Sequence, residues 1–201
     1  LLYPAQVAEV LAPIAEYPEI QFSLKMRLGW ENASECMVLV ELLNAIRLSR
    51  IALHARTGKQ QYKGHPDLEA FQGFYELCQH PLYYNGGIES LSDIRQILIR
   101  FPLLKGVFIG RGLLSSPLLA KEFKGNETFL PEQRMSIYFA FHEELFSAYS
   151  QVLQGETQLL VKMKTLWEYF LPETDRKLLK RIKKSTRLQQ YTESVKAIFT
   201  S

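Results

Sequence analysis

The segments Pro81-Leu-Tyr-Tyr-Asn-Gly-Gly-Ile-Glu89 and Val107-Phe-Ile-Gly-Arg-Gly-Leu-Leu114 decide the fold. Each is a short apolar run that ends in glycine and one polar residue. Between them, residues 90–101 carry apolar side chains at the spacing of an amphipathic helix, which predicts a strand, a helix and a second strand. Strands joined in this way lie parallel, through a right-handed crossover. The glycines then fall at the carboxyl ends of both strands, the edge of a parallel sheet at which ligands bind.

Glycine at both strand ends indicates a site for an anion. Because glycine has no side chain, the backbone N–H groups of Gly86, Gly87 and Gly110 can approach a phosphate closely. The N-terminus of a following helix adds favourable partial charge. Gly110-Arg-Gly112 is too short for a dinucleotide-binding fingerprint, so these segments alone predict a phosphate-binding α/β unit and no particular ligand.

Two further strands are predicted ahead of this unit. Residues 20–28 alternate between apolar and polar side chains, as in a strand with one buried face, and residues 50–54 form the next strand. Helical periodicity lies between these strands and before the first of them. We therefore predict an α/β fold with four parallel strands at roughly 30-residue spacing. Such a series is half of a TIM-type (β/α)8 barrel or a small open doubly wound sheet.

The pattern changes to helices only after Pro131. We predict a partial barrel domain at residues 1–125 and an all-α helical bundle at residues 126–201, separated by the polar segment that ends at Pro131. Residues 162–187 contain nine basic and three acidic side chains, although the whole chain has a net charge of only +3. This basic region predicts a polyanionic partner, with a solvated, lysine-rich helix face as the alternative.

The composition is that of an ordinary globular protein. No apolar run approaches the ~20 residues of a membrane helix, and no signal peptide is recognisable, which predicts a cytoplasmic protein without a membrane span. Cys36 and Cys78 lie in amphipathic helix patterns, so we expect two buried free thiols and no disulfide. Neither zinc-ligand spacing nor a Ser-His-Asp or Cys-His arrangement is present, and no metal site is predicted.

Polar side chains at the carboxyl ends of the predicted strands are the candidates for a site. Lys25 would point into a barrel lumen towards an anion or an electron-rich ring, or it reaches solvent. His54 could donate to a phosphate or be hydrogen-bonded locally, and Asn85 suits either a ligand or a plain turn. The full set is Lys25, Arg27, His54, Arg56, Asn85 and Arg111.

Together, the four strand ends resemble the tRNA-dihydrouridine synthases. The resemblance covers Leu1 to about Phe123 in motifs, and the helical tail with Lys162-Met-Lys-Thr-Leu-Trp-Glu-Tyr-Phe170 is similar in character. It implies an FMN-binding barrel, a C-terminal helical domain that binds tRNA, and reduction of particular tRNA uridines with NADPH. The motifs are Lys25-Met-Arg-Leu-Gly29, His54-Ala-Arg-Thr57 with Tyr62, Asn85-Gly-Gly-Ile88 and Ile109-Gly-Arg-Gly112.

The resemblance also implies roles for individual residues. Lys25 would contact the flavin ring and stabilise negative charge near its N1 and C2 oxygen, and His54 would lie beside the flavin or its phosphate. Where the family commonly has an acidic residue, this chain has Gly87, which keeps a backbone contact but no carboxylate. The implied phosphate ligands are Asn85, Gly86, Gly87, Gly110 and Arg111. The implied tRNA contacts are Arg56, Tyr62, Lys162, Lys164 and Arg187.

One element of the family is expected upstream of this sequence. The catalytic cysteine, which gives a proton to uracil C5, precedes the strand that carries Lys25, and Leu1-Leu2 corresponds to the segment just after it. Cys36 and Cys78 therefore cannot inherit its role. We expect the chain to be the C-terminal portion of the enzyme, with the second half of the barrel, and to be inactive alone. Its open strand edges predict association with another copy or with the missing half, or else cleavage of the chain after folding.

Two other functions stay open at this point. Another FMN-dependent barrel oxidoreductase, acting on a small molecule, shares the glycine-rich phosphate ends but has no need of a basic tail. A non-catalytic RNA-binding fragment would use the tail without a flavin. The tRNA uridine that is modified is not specified by the sequence.

Overall fold

The structure, a computed structural model, describes residues 1–200, which form two compact units. The first unit ends at Gly110 and the second begins at Arg111. The sequence predicts a boundary near residue 125, whereas the contacts divide the chain earlier. The reason is apolar packing, because Leu118 is buried in the same core as Trp167 of the later helices. The separate functions expected for residues 1–125 and 126–201 stay predictions.

The first unit is an α/β structure with a parallel sheet in the order β1-β2-β3-β4. Every neighbouring pair is parallel, as the strand–helix–strand patterns predict. In chain order the elements are α1 (Pro4–Leu11), a 3-10 helix (Ala12–Glu16), β1 (Ser23–Gly29), a 3-10 helix (Ala33–Leu39), α2 (Val40–Ala45), β2 (Arg50–Thr57), α3 (Leu68–Leu77), β3 (Leu82–Asn85), α4 (Leu91–Arg100) and β4 (Gly106–Phe108).

Local sequence signals explain where these helices begin. Ser90 accepts a hydrogen bond from the N–H of Asp93, whose carboxylate accepts in return from the N–H of Ser90, and this capping box starts α4. Asp67 caps α3 by accepting from Ala70 N at 2.9 Å. Both of these crossover helices are therefore fixed at the end that follows a strand's carboxyl edge.

The core of the first unit lies between the sheet and its helices. β2 is buried from Ile51 to Arg56, as expected for a strand with neighbours on both sides. Phe71 of α3 packs edge-to-face on Tyr84 and on Phe101, with ring centroids 5.0 Å apart in each pair. This aromatic packing holds α3 and α4 against β3.

The regular secondary structure of the second unit is helical throughout its described residues. They share one apolar core, to which Met163, Phe170 and Val195 contribute fully or almost fully buried side chains. No helix within residues 1–200 has both the length and the apolar character needed to cross a membrane. The elements are α5 (Arg111–Ser115), α6 (Leu119–Gly125), α7 (Pro131–Val152), α8 (Glu156–Leu166), α9 (Arg176–Lys184) and α10 (Leu188–Phe199).

A buried polar network joins three elements of this core. Trp167 Nε1 donates to Tyr191 Oη at 3.0 Å, and Tyr191 Oη lies 2.6 Å from His142 Nε2. The buried Tyr191 O–H needs an acceptor, and among the described residues the His142 imidazole is the acceptor within reach, so this O–H donates to Nε2. His142 Nδ1 then carries the ring proton and donates to Glu143 at 3.1 Å. The network is satisfied only while His142 is neutral.

We expect this network to make stability depend on pH. Burial lowers the pKa of His142 below its ordinary value of 6.5, more than Glu143 raises it, so only the unfolded chain takes up a proton just below pH 6.5. Stability is then full above that pH and falls as the pH decreases through it.

The measurement is thermal unfolding followed by circular dichroism at about pH 7.5 and about pH 5.5. At the higher pH, His142→Gln should unfold at a lower temperature than the unchanged chain. The substitution disturbs buried hydrogen bonds, which should reduce the free energy of unfolding by about 1–3 kcal/mol. It should also lose less stability on acidification than the unchanged chain. An equal loss in both proteins would show that another group titrates.

Candidate functional site

Three predicted site residues lie in one row across the sheet. Arg27 of β1 is in register with His54 of β2, and His54 is in register with Asn85 of β3. Lys25 precedes Arg27 by two residues and therefore lies on the same face of the sheet. These four of the six candidates therefore lie on one face of the sheet, and their role as a site stays a prediction. This polar face, made of these four residues and Arg56, is the candidate site.

His54 and Arg56 form a buried pair on the polar face, with 5% and 4% of their surfaces exposed. Arg56 Nη1 lies 3.4 Å from His54 Nε2, and Nη2 donates to the Gly64 carbonyl at 3.0 Å. A guanidinium only donates, so His54 Nε2 is the acceptor in this contact. Arg56 thus ties the loop after β2 to the sheet, and a contact between Arg56 and tRNA would require that loop to move.

The end of β3 is shaped by one amide and two glycines. Asn85 Nδ2 donates to the Phe108 carbonyl at 2.8 Å and so joins the ends of β3 and β4. Gly86 and Gly87 follow with φ angles of 136° and 62°, which side-chain-bearing residues rarely adopt. A Cβ on Gly86 would lie 3.2 Å from the ring of His54, so this turn runs directly beside the buried histidine.

Gly110 differs from the two glycines of the β3 turn. A Cβ placed on it would meet no atom within 4 Å, so the space next to this backbone is open. Arg111 follows directly and is the first residue of α5. The chain therefore offers an unobstructed backbone at the end of β4.

The loop after β2 carries Tyr62, which is 60% exposed. Arg27 Nη1 donates to the carbonyls of Thr57 and Gln61 at 2.7 and 3.2 Å, and the guanidinium carbon lies 6.0 Å from the Tyr62 ring centroid. Sequence reasoning placed Arg27 at a strand end but gave it no role. Its contacts with the loop require the fold and are not visible as a local pattern.

The basic candidates of the second unit occupy different surroundings. Lys162 is exposed, with its Nζ 5.3 Å from the ring centroid of Tyr149, and Arg187 is an exposed residue at the start of α10. Lys164 is half-buried, and its Nζ donates to the Ser185 carbonyl at the end of α9. This contact places a positive charge at the negative end of that helix, which stabilises it.

The outer face of α9 carries a basic stripe that the sequence analysis did not separate from the rest of the region. Its four residues recur at the spacing of a single helix face and line a groove of about 490 Å³ against α10. Within residues 1–200 none of them has a carboxylate within 4.0 Å, although Glu193 also lines the groove. The basic stripe is Lys177, Lys180, Arg181 and Lys184.

The two cysteines are free thiols, as predicted. Burial raises the pKa of the Cys36 thiol to about 11, and burial also raises the pKa of the half-buried Cys78. Both thiols are therefore protonated at neutral pH. Within the described residues, no group of three or more His, Cys, Asp or Glu side chains could hold a metal ion.

Comparison with known proteins identifies the family. The model of the family described as Dihydrouridine synthase (Dus) matches residues 1–200. The chain belongs to the dihydrouridine synthase family. This confirms the resemblance seen at the four strand ends.

Curated relatives match only part of their length. The "Probable tRNA-dihydrouridine synthase" of Rhizobium leguminosarum bv. phaseoli is 35% identical over 100 residues, which are 49% of this chain and 31% of that protein. The "Probable tRNA-dihydrouridine synthase" of Aquifex aeolicus is 34% identical over 119 residues, 59% of this chain and 36% of the relative. The "tRNA-dihydrouridine synthase B" of Vibrio vulnificus is 25% identical over 136 residues, 66% and 42% of the two chains. The chain thus spans less than half the length of these relatives.

The glycines of the site should respond differently to an added methyl group. Gly87→Ala should destabilise the chain by about 1–3 kcal/mol, because a left-handed φ disfavours alanine. Its Cβ would also lie 2.9 Å from Pro66 Cγ. Gly110→Ala is the matched control and should change stability by less than about 0.5 kcal/mol. Urea unfolding of both variants tests this, and equal losses would contradict the difference in their backbones.

Proposed function

We propose that the protein is a flavin-dependent tRNA-dihydrouridine synthase, a cytoplasmic enzyme that reduces the C5–C6 double bond of particular tRNA uridines with NADPH. The observation that carries this proposal is the polar face, where Lys25, His54 and Asn85 come together in a chain of the dihydrouridine synthase family. Because the chain spans less than half the length of its relatives, the activity is proposed for the whole protein.

The ends of β3 and β4 fit the phosphate of FMN. Asn85 holds the two strand ends together, and the Gly86-Gly87 turn presents backbone without side chains. The open space beside Gly110 leaves room for an anion close to the main chain. Arg111 adds a guanidinium that binds phosphate through two parallel hydrogen bonds. The proposed phosphate ligands are Asn85, Gly86, Gly87, Gly110 and Arg111.

Lys25 and His54 are proposed to contact the flavin ring system. A bound FMN would supply the hydride that reduces the uracil ring. Lys25 is exposed on the polar face, and its ammonium would stabilise negative charge on the N1 and C2 oxygen side of the ring. His54 is held by Arg56 in a fixed orientation beside Gly86, which suits a hydrogen-bonding group next to the cofactor. No proton donor to uracil C5 is proposed in this chain, because Cys36 is buried within the 3-10 helix after β1 and Cys78 follows α3, so that neither lies at the carboxyl end of a strand.

We assign the four-stranded sheet to the second half of a TIM-type barrel. β1 and β4 each pair with one neighbour only among the described residues, so both edges of the sheet can accept another strand. The proposed occupant of these edges is the N-terminal half of the same barrel or a second copy of the chain. Association of either kind would complete the polar face as the inner wall of a closed site.

The proposed RNA partner is tRNA. Tyr62 is exposed on the loop beside the polar face, where it can contact the RNA strand. Lys162 and Arg187 are exposed on the second unit and can bind phosphates. Lys164 is the third proposed phosphate contact in this unit, and its Nζ also donates to the Ser185 carbonyl at the end of α9. The basic stripe of α9 supports a polyanionic partner, because repulsion among its charges is relieved by phosphate. We therefore propose cofactor binding by residues 1–125 and tRNA binding by residues 126–201.

Deleting the gene and mapping dihydrouridine in the cell's tRNA tests the function. We expect dihydrouridine to disappear from at least one tRNA position and to return with the full-length gene. Restoration should fail with Lys25→Ala, because the ammonium that stabilises the reduced ring is lost. Unchanged tRNA would overturn the proposal. A flavin spectrum in the full-length protein together with unchanged tRNA would favour a reductase of small molecules.

The basic stripe should set the salt dependence of tRNA binding. Lys180→Gln combined with Lys184→Gln should weaken binding and lower the slope of log affinity against log salt by about 1 to 2, since each lost phosphate contact removes about 0.7–0.9. Lys121→Gln combined with Lys124→Gln is the matched control, because it also removes two exposed charges of the second unit, both of which lie outside the stripe. Filter binding across a salt series measures the slopes. Identical slopes for the two variants would place the RNA elsewhere.

A further inference from the structure

Trp30 is a large aromatic residue that the proposed site does not use. It follows β1 directly and is 50% exposed, although tryptophan is usually well buried. Its six-membered ring rests on the backbone of Gly58, where a Cβ would overlap the ring atom Cε3 and lie 2.9 Å from Cζ3. The indole is therefore seated on a glycine and keeps half of its surface open.

The loop that carries Trp30 is held by several backbone hydrogen bonds. Glu35 accepts from the N–H groups of Trp30, Glu31 and Asn32 at 2.7, 2.9 and 2.8 Å. The N–H groups of Asn32 and Trp30 are the main reason that the pKa of Glu35 lies below its usual value. The loop is thus anchored through a carboxylate that stays ionised at neutral pH.

A second set of bonds joins this loop to the loop after β2. Gly58 N donates to the Gly29 carbonyl at 2.7 Å, and Lys59 N donates to the Trp30 carbonyl at 2.9 Å. Lys59 also forms an ion pair with Glu31. Trp30 and its seat therefore belong to one connected structure, and little conformational entropy is lost when a ligand contacts the ring.

The loop joined to Trp30 carries an exposed aromatic residue and an exposed cation, while the acidic groups beside Trp30 are engaged, Glu31 by an ion pair and Glu35 by backbone N–H groups. Tyr62 lies in the joined loop with 60% of its surface exposed, and Lys63 beside it is exposed without an ion-pair partner among the described residues. Exposed aromatic rings and exposed cations on connected loops are the combination that binds unpaired nucleic acid, through base stacking and phosphate attraction. An apolar protein partner would not require the cations.

The proposed reaction gives this ring a task. A uridine must leave the base stack of the RNA before its ring can be reduced, and its strand loses stacking energy when it does. We propose that Trp30, seated on Gly58, is a stacking platform for an unpaired base of the RNA strand that carries the target uridine. This inference rests on the proposed function, in which tRNA is the partner. It adds Trp30 to the residues that contact the RNA and specifies that the contact is stacking on an unpaired base.

Tryptophan fluorescence gives a direct test. The chain has two tryptophans, and Trp167 is only 2% exposed, so a base that stacks on the protein surface can reach Trp30 alone. Adding an unmodified tRNA transcript should quench the emission of the unchanged chain. In Trp30→Phe the remaining signal from Trp167 should not respond. Binding of fluorescein-labelled tRNA, measured in parallel by anisotropy, confirms that the complex has formed.

Affinity measurements give the second test. Trp30→Ala should weaken tRNA binding about 5- to 100-fold, the loss expected for one base–aromatic stack, whereas Trp30→Phe should stay within about threefold. Gly58→Ala should also weaken binding, because its methyl group displaces the ring from its seat. In the Trp30→Ala background the Gly58 change should have no further effect. Thermal unfolding of each variant confirms that the fold is intact.

The outcomes separate this proposal from the proposed function. Binding of tRNA without quenching, or equal affinities of the Ala, Phe and unchanged proteins, would overturn the stacking platform and leave the tRNA reductase untouched. No binding of tRNA by the full-length protein at any salt concentration would overturn both. Quenching by single-stranded oligouridylate but not by duplex RNA would support an unpaired base as the ligand.

Discussion

The parallel register of β1, β2 and β3 is the constraint on which the candidate site depends. It places Arg27, His54 and Asn85 side by side, and a slip of one residue would turn one of these side chains to the opposite face. Apolar burial fixes that register, since β2 is buried on both faces and its Ile51 N–H donates to the Pro81 carbonyl at 2.9 Å. The burial of β2 thus sets the positions of Arg27, His54 and Asn85 relative to one another.

Local patterns were sufficient for the parallel sheet and for the residues at its carboxyl edge. Alternation along residues 20–28 and glycine after β3 report which face or strand end a residue occupies, and those assignments are confirmed. They do not report the partner of a long side chain. The bonds of Arg56 to Gly64 and of Lys164 to Ser185 join positions that only the folded chain brings together. The unit boundary at Gly110 escaped prediction for the same reason, because it depends on the burial of Leu118.

The second unit uses its positive charges in two physically different ways. Lys164 forms its contact within the protein, where its ammonium group donates to the Ser185 carbonyl and offsets the partial negative charge at the end of α9. The basic stripe instead repels itself, because like charges three and four residues apart destabilise a helix. Burial of Ile182 and packing of Leu178 and Leu179 against the core offset that repulsion. An apolar face therefore keeps α9 folded while its outer face remains available to an anion.

The central place of β2 also has a consequence for local unfolding. Its amides are bonded to neighbours on both sides and shielded from solvent, whereas β1 and β4 each expose one edge. Amide hydrogens of β2 should exchange with solvent only when the whole first unit opens, and those of the edge strands should exchange through smaller openings. A partner strand bound at either edge would slow exchange there selectively. The rates of amide hydrogen exchange in β1 and β4 therefore show whether a further strand has paired with the edges of the sheet.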